Sequence, residues 1–475
     1  MHGAGMWRGA AIMALLAAPG CAARTVYHEP PVVPAPAAFL ESADWKPSQP
    51  LDASLRGNWW EMFGDQDLNA LETRVDVSNE TLKIAAARFD GARAAIRGAR
   101  SELFPQVTVA PSIARVDPSG HRPTSPSSAP YTDLVLPLDA TWEADVWGRV
   151  RSGVNASRAA AQASAADLEN IRLSLRAELA TDYFTLKGLD REQRLLEEAV
   201  TAYERALELA QNRFRGGIVS AADVDQAETQ LETTRAQAVD VQVDRARFQH
   251  AIAVLVGQSP SSFVLSASPL ETEPPAVPIG VPSDLLERRP DIASAERRMA
   301  QAGANVGVTQ AAFYPLLTLG ATAGFEASTF GAWLAGASNF WSVAPTLIAT
   351  VFDGGRRHAV SDEAKAAFVE SEAEYRLSVL SAFREVEDQL SALRLLEQEA
   401  EVQARASAAA ERSLTQANNR YRGGVVTYLE VVAAQTRTLD NQRAEVSILS
   451  RRMAASVQLL KALGGGWTVA SLPTD

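Results

Sequence analysis

Several common ingredients are scarce in this chain. Among its 475 residues there is one cysteine, Cys21, so no disulfide can form within a chain. The five histidines (His2, His28, His121, His250 and His358) stand at no metal-ligand spacing from one another. The sequence has no G-x-S-x-G, no G-x-x-x-x-G-K, and no G-x-G-x-x-G following a strand. This inventory predicts no enzyme, no metal and no other cofactor. Basic residues are outnumbered: the net charge is −12, and no basic stripe or aromatic–basic platform is visible. A nucleic-acid partner is therefore not expected. The apolar run Ala10 to Ala18 is too short to span a membrane as a mature helix.

What is present begins with an address. Residues 1–20 read as an export signal, with Arg8 before the short apolar run. Ala18-Pro19-Gly20-Cys21 follows, small residues leading to a cysteine in the manner of a lipobox, with Ala18 where leucine is usual. Cys21 is the expected lipidation site. Residues 21–64 form a lipidated N-terminal tether, rich in Pro, Ala and Ser over 29–57. It closes on Trp59-Trp60-Glu61-Met62-Phe63, an aromatic cluster suited to packing the tether onto the body.

One motif then organises the rest. Arg213-Phe214-Arg215-Gly216-Gly217-Ile218-Val219 returns 207 residues later as Arg420-Tyr421-Arg422-Gly423-Gly424-Val425-Val426. Leu196, Val200, Tyr203, Leu207, Ala210 and Phe214 lead into the first copy at heptad spacing, the pattern of helices packed side by side. The glycine pair ends the helix, and a new helical pattern starts at once. Each motif is thus the tip of a long helical hairpin. The preceding helices, 151–214 and 357–421, have about 65 residues each, ~98 Å at the helical rise.

Between the helices the period changes to two. Apolar and polar residues alternate over 106–113, 134–146, 317–326 and 341–351, predicting four strands in two hairpins, 105–147 and 315–352. Aromatic residues gather near the strand ends (Phe104, Tyr131, Trp142, Trp147, Tyr314, Phe340, Trp341, Phe352), as in the girdles of membrane barrels. Four strands make an open sheet, which lipid forbids. A barrel must then be shared between chains: two chains give eight strands, three give twelve. The predicted organisation is a first repeat over 65–257, a linker over 258–281, a second repeat over 282–463 and a tail over 464–475. Each repeat runs helix, β-hairpin, long helix, Gly-Gly tip, helix. A periplasmic coiled-coil adaptor or structural lipoprotein without a pore would explain the helices and the anchor, but not the girdles.

The lipobox, the Trp-Trp cluster and this twofold order resemble the TolC/OprM-like outer-membrane efflux protein family, in its NodT-type lipoprotein branch. The most specific pieces are Arg420-Tyr421-Arg422-Gly423-Gly424 with Tyr428-Leu429-Glu430-Val431, Arg289-Pro290-Asp291-Ile292, and Phe352-Asp353-Gly354-Gly355-Arg356. The resemblance implies a mixed α+β membrane protein: a homotrimer with a 12-stranded transmembrane β-barrel, continued by a long periplasmic α-helical barrel. It implies the passive exit duct of a tripartite efflux system. Its partners would be a periplasmic membrane-fusion adaptor, an inner-membrane pump of the RND class and the outer-membrane lipid. The adaptor would contact the tips at Arg213, Gly216, Gly217, Arg420, Gly423 and Gly424. The periplasmic gate would comprise Glu430, Asp223 and Tyr421, with a hydrogen bond from Tyr421 to Asp223 holding the closed state. Family positions for a second carboxylate and a basic latch fall here on Ala433 and Val426.

Overall fold

The computed structural model describes residues 31, 34–36, 38–42, 58–119, 130–277 and 288–472. The signal, Cys21, most of the tether and His121 lie outside the described residues, as do 278–287 and 473–475.

In the first half, α1 (Gln66–Ser78) and α2 (Glu80–Ser101) precede strands β1 (Gln106–Val109), β2 (Ser112–Val116) and β3 (Tyr131–Glu143). The long α3 (Arg149–Arg215) and the returning α4 (Ala221–Leu255) follow. The second half has α5 (Pro290–Ala311), β4 (Leu316–Ala327), β5 (Asn339–Ile348), α6 (Arg356–Arg422) and α7 (Tyr428–Ala462). Matching helices have equal lengths: α2 and α5 have 22 residues, α3 and α6 have 67, α4 and α7 have 35. The long helices therefore run ~100 Å. They cannot fold back into a small globule, and each finds neighbours along its length. α3 packs on α4, α5 and α7, and α6 packs on α5 and α7.

Two predicted elements are subdivided. The single helix expected over 65–103 breaks at Asn79, whose backbone is extended (ψ 124°). Asn79 is buried; its Oδ1 accepts from Leu82 N–H (3.0 Å) and its Nδ2 donates to the Leu255 carbonyl (2.8 Å). The break thus starts one helix and finishes another. Arg289 does the same in the second half, donating from Nη1 to the Ala462 carbonyl at 3.0 Å while its Asp291 partner opens α5. Each residue ties a helix start to the last residue of a returning helix, so each hairpin closes on its own half. The strand expected over 106–113 is also split, at Ala110-Pro111, because proline has no N–H for the ladder. Both pieces pair with β3, so four strand positions remain. β3 occupies 131–143 rather than 134–146.

The sheet is antiparallel, in the order β1/β2, β3, β4, β5, with two open edges. Its register keeps one face apolar: Val109 opposes Leu138, Leu138 opposes Ala323, and Ala323 opposes Trp341. The other face carries Asp139, Thr322 and Ser342 in one row, and Thr322 Oγ1 donates to Asp139 at 2.7 Å. At each passage from sheet to long helix a carboxylate caps the new helix. Asp145 accepts from the Val150 and Arg151 amides (3.0 and 2.9 Å). Asp353 accepts from the Gly355 and Arg357 amides (3.1 and 3.2 Å).

The main core lies where the halves meet. Trp59–Phe63 packs onto the body, as predicted; it does so as a 3₁₀ turn, with Trp59 fully buried and the Phe63 ring centre 4.8 Å from that of Phe184, the two rings tilted at 45°. Further upstream, Phe39 is buried, the Leu40 amide donates to Glu387 (2.7 Å), and Glu41 pairs with Arg394 (2.5 Å).

Asp65 joins this N-terminal segment to α3. Its Oδ1 accepts from the Asp67 and Leu68 amides and the Tyr183 hydroxyl (3.0, 3.1 and 2.9 Å), and its Oδ2 from Lys187 (2.9 Å). Burial pushes its carboxyl up, but Lys187, the Leu68 amide and the Tyr183 hydroxyl outweigh that and hold it below its ordinary value. Its folded pKa is depressed, so its contribution is fully present above the unfolded value of 3.8 and is lost as pH falls through the lower folded value. Asp65→Ala should cost about 1–2 kcal/mol at pH 7. Thermal unfolding should show this difference shrinking as pH falls below 3.8.

Candidate functional site: the two hairpin tips

Each tip is built from the same backbone device. The Gly217 amide donates to Phe214 O and the Ile218 amide to Arg213 O, both at 2.9 Å. The Gly424 amide donates to Tyr421 O and the Val425 amide to Arg420 O, both at 3.0 Å. These bonds satisfy the last carbonyls of α3 and α6. Only the second glycine of each pair is left-handed: Gly217 has φ 71° and Gly424 has φ 69°. Gly216 (φ −81°) and Gly423 (φ −75°) are ordinary caps. Beside the glycines stand exposed apolar side chains, Ile218 and Val425, at matching places in the two turns. The sequence showed both residues, but not that they would point outward.

The tips are held together by contacts between the halves. Arg213 is half-buried and turned inward. Its Nη1 donates to Tyr421 O and its Nη2 to Arg422 O, both at 3.1 Å, and its guanidinium lies 4.8 Å from the Tyr421 ring centre. It thus satisfies the C-terminal end of the other long helix, where a cation is favoured. Asp223 makes the second link. Its Oδ2 accepts from the Ser220 amide and hydroxyl (3.1 and 3.0 Å), completing a capping box, and its Oδ1 accepts from the Tyr428 amide (3.3 Å). One carboxylate therefore serves the first turns of both α4 and α7.

The expected Tyr421–Asp223 hydrogen bond is not formed within the chain. The Tyr421 hydroxyl is buried without a hydrogen-bond partner. Asp223 is the third residue of α4, and the free amides of two helix starts draw its carboxylate away. The Tyr421 ring instead packs edge-on against Tyr428 at 5.2 Å. The two tyrosines sit among Ala210, Ala227, Ala417 and Val431. Burial pushes the Tyr428 hydroxyl up to about 12, so it is uncharged at neutral pH.

Arg420, the counterpart of Arg213, behaves differently. It faces solvent and pairs with Glu430 at 3.2 Å, with both side chains at least half exposed. Such a pair contributes ~0–1 kcal/mol. Val426 packs against the tyrosine cluster.

Comparison with known proteins agrees with this geometry. The sequence pattern of the outer membrane efflux protein family matches residues 73–258 and 281–465. The chain belongs to that family. It is 30% identical over 455 residues to the toluene efflux pump outer membrane protein TtgC of Pseudomonas putida, covering 93% of this chain and 92% of the relative. It is 30% identical over 426 residues to the pyoverdine export outer membrane protein OpmQ of Pseudomonas aeruginosa, covering 88% and 89%. The solved outer-membrane channel OprN superposes with a TM-score of 0.85 at 31% identity, over 92% of this chain and 99% of that one. The protein is therefore an outer-membrane efflux channel, in a family of transport proteins rather than enzymes. The reading as a pore-less coiled-coil adaptor is set aside.

The two glycines of a tip should respond differently to substitution. Gly424→Ala forces a side chain into left-handed backbone and should cost about 1 kcal/mol. Gly423→Ala should stay within about 0.5 kcal/mol. Hydrogen exchange of the amides at 424–430 reads the difference, and equal protection in the two variants would contradict the assignment.

Proposed function

We propose that three copies of this chain join their four strand positions into one 12-stranded transmembrane barrel. The observation that carries this is the sheet itself, which has an apolar face, a polar face and two unpaired edges. Lipid tolerates an apolar face but not an open edge. The apolar face, with Leu138, Leu319, Trp341, Val343 and Leu347 exposed, meets hydrocarbon. The face bearing Asp139, Thr322 and Glu326 lines the lumen. No helix among the described residues is long and apolar enough to cross a membrane. The helices of three chains continue the pore as a periplasmic α-barrel, and their equal lengths in the two halves support an internal repeat.

In this reading the chain is a passive exit duct. A periplasmic adaptor docks on the tips, where Ile218 and Val425 offer it apolar contacts, and an inner-membrane pump of the RND class supplies the cargo. The lipid on Cys21 holds the tether in the outer membrane. The curated relatives carry names that specify toluene in one case and pyoverdine in another. Such unlike cargo on one fold supports substrate choice upstream of the duct.

The gate follows from the tip geometry. Arg213 and Asp223 fasten the two hairpins of one chain to each other, so opening must break these links or carry both tips together. Glu430, kept in place by Arg420, sets the charge at the entrance. In planar bilayers, Arg213→Ala should raise the open fraction, because two carbonyls and the Tyr421 ring lose their partner. Glu430→Gln should leave the open fraction alone and reduce cation preference, as removing a carboxylate ring does. Unchanged conductance and selectivity in both variants would remove these residues from the gate.

A further inference from the structure

The apolar face of the sheet is not flat. An open groove of about 480 Å³ crosses β3, β4 and β5, lined by Leu136, Leu138, Ala323, Phe325, Asn339 and Trp341. Ala323 is its small residue, set between Leu138 and Trp341 in register. The groove lies in the half of the sheet remote from the helices. β3 enters at Tyr131 and leaves toward α3 at Glu143, while β5 begins at Asn339.

One charged residue shares this face. Arg115 of β2 opposes Thr132 of β3, and Thr132 points to the same side as Leu134, Leu136 and Leu138. Its Nη1 donates to Thr132 Oγ1 at 3.1 Å, and the side chain is exposed. Leu134 is fully covered, while Ile113, opposite it on the same face, is exposed and continues the apolar surface from Arg115 toward the groove. From Thr132 to Leu136–Leu138 is four to six residues, ~14–20 Å along the strand. One leaflet of hydrocarbon is ~15 Å deep, half of the bilayer core. A cation at the rim and an apolar trough one leaflet below it match the two ends of an anionic lipid.

We propose that Arg115 and the groove bind a lipid of the outer leaflet that carries a phosphorylated head group. The phosphate lies on the Arg115 guanidinium, and an acyl chain fills the trough over Ala323. The proposal rests on the membrane reading above. It uses only intrachain residues, so each chain of an assembly carries one complete site. An arginine suits this role, since its planar fork matches phosphate geometry.

The test uses the whole protein in lipid nanodiscs, with diphosphoryl lipid A as the probe and its dephosphorylated form as the control. Bound lipid is counted by native mass spectrometry. Arg115→Gln should lower retention of the diphosphoryl form about fivefold, an effect of ~1 kcal/mol, and leave the control unchanged. Arg115→Lys should restore part of it. Ala323→Leu fills the trough and should weaken both forms. Equal retention of diphosphoryl lipid A by wild type, Arg115→Gln and Ala323→Leu would overturn the proposal. Quenching by brominated lipid, taken as the difference between wild type and Trp341→Phe, separates the two levels. Quenching of Trp341 with equal retention rejects the site and keeps the membrane reading. No quenching of Trp341 rejects the membrane reading, and the site with it.

Discussion

In hydrocarbon every backbone N–H and C=O must find a partner inside the protein, because water is not there to supply one. That constraint governs this molecule. A sheet of four strand positions leaves β1/β2 and β5 with free edges, so one chain cannot finish its own membrane segment. In the proposed trimer, other copies complete it, and they bring their long helices with them. The 67-residue helices, already packed on neighbours within the chain, then gain further neighbours on their outer flanks. In the proposed trimer the hollow helical body is thus a consequence of how the sheet closes.

The same chemistry recurs at the ends of the helices. Each free helix terminus presents unsatisfied amides or carbonyls, and these choose the partners. Asn79 and Arg289 take the last carbonyls of the returning helices, and Asp145 and Asp353 take the first amides of the long ones. At the tips Arg213 takes the carbonyls of Tyr421 and Arg422, and Asp223 takes the Tyr428 amide. The halves match in length but differ here: Arg213 turns inward, while Arg420 faces solvent with Glu430. The paired tips therefore have an inner fastening and an outer charge, made from equivalent residues.

Much of this was legible in the sequence. The glycine pairs marked the tips, the heptad seam marked the helices, and the change of period marked the strands, because each rests on local backbone chemistry or on facing. The split at Ala110-Pro111 follows from proline's missing donor, yet alternation on either side concealed it. The break at Asn79 was hidden because its partner, Leu255, is 176 residues away. Partner choice at the tips was the least legible. Tyr421 and Asp223 are complementary as side chains, but a carboxylate beside two helix starts has stronger competitors than a phenol. The inward course of Arg213 has no sequence signal beyond its match with Arg420, whose own course is different.

The central claim is that the sheet closes only by joining three chains. The direct measurement is the particle mass of the Cys21→Ser protein purified in detergent, so that no lipid anchor contributes to membrane association, combined with its β-content. The account predicts a particle of three chains that requires detergent and retains its strands. A monomeric particle with the strands intact, or a protein that stays soluble without detergent, would contradict it.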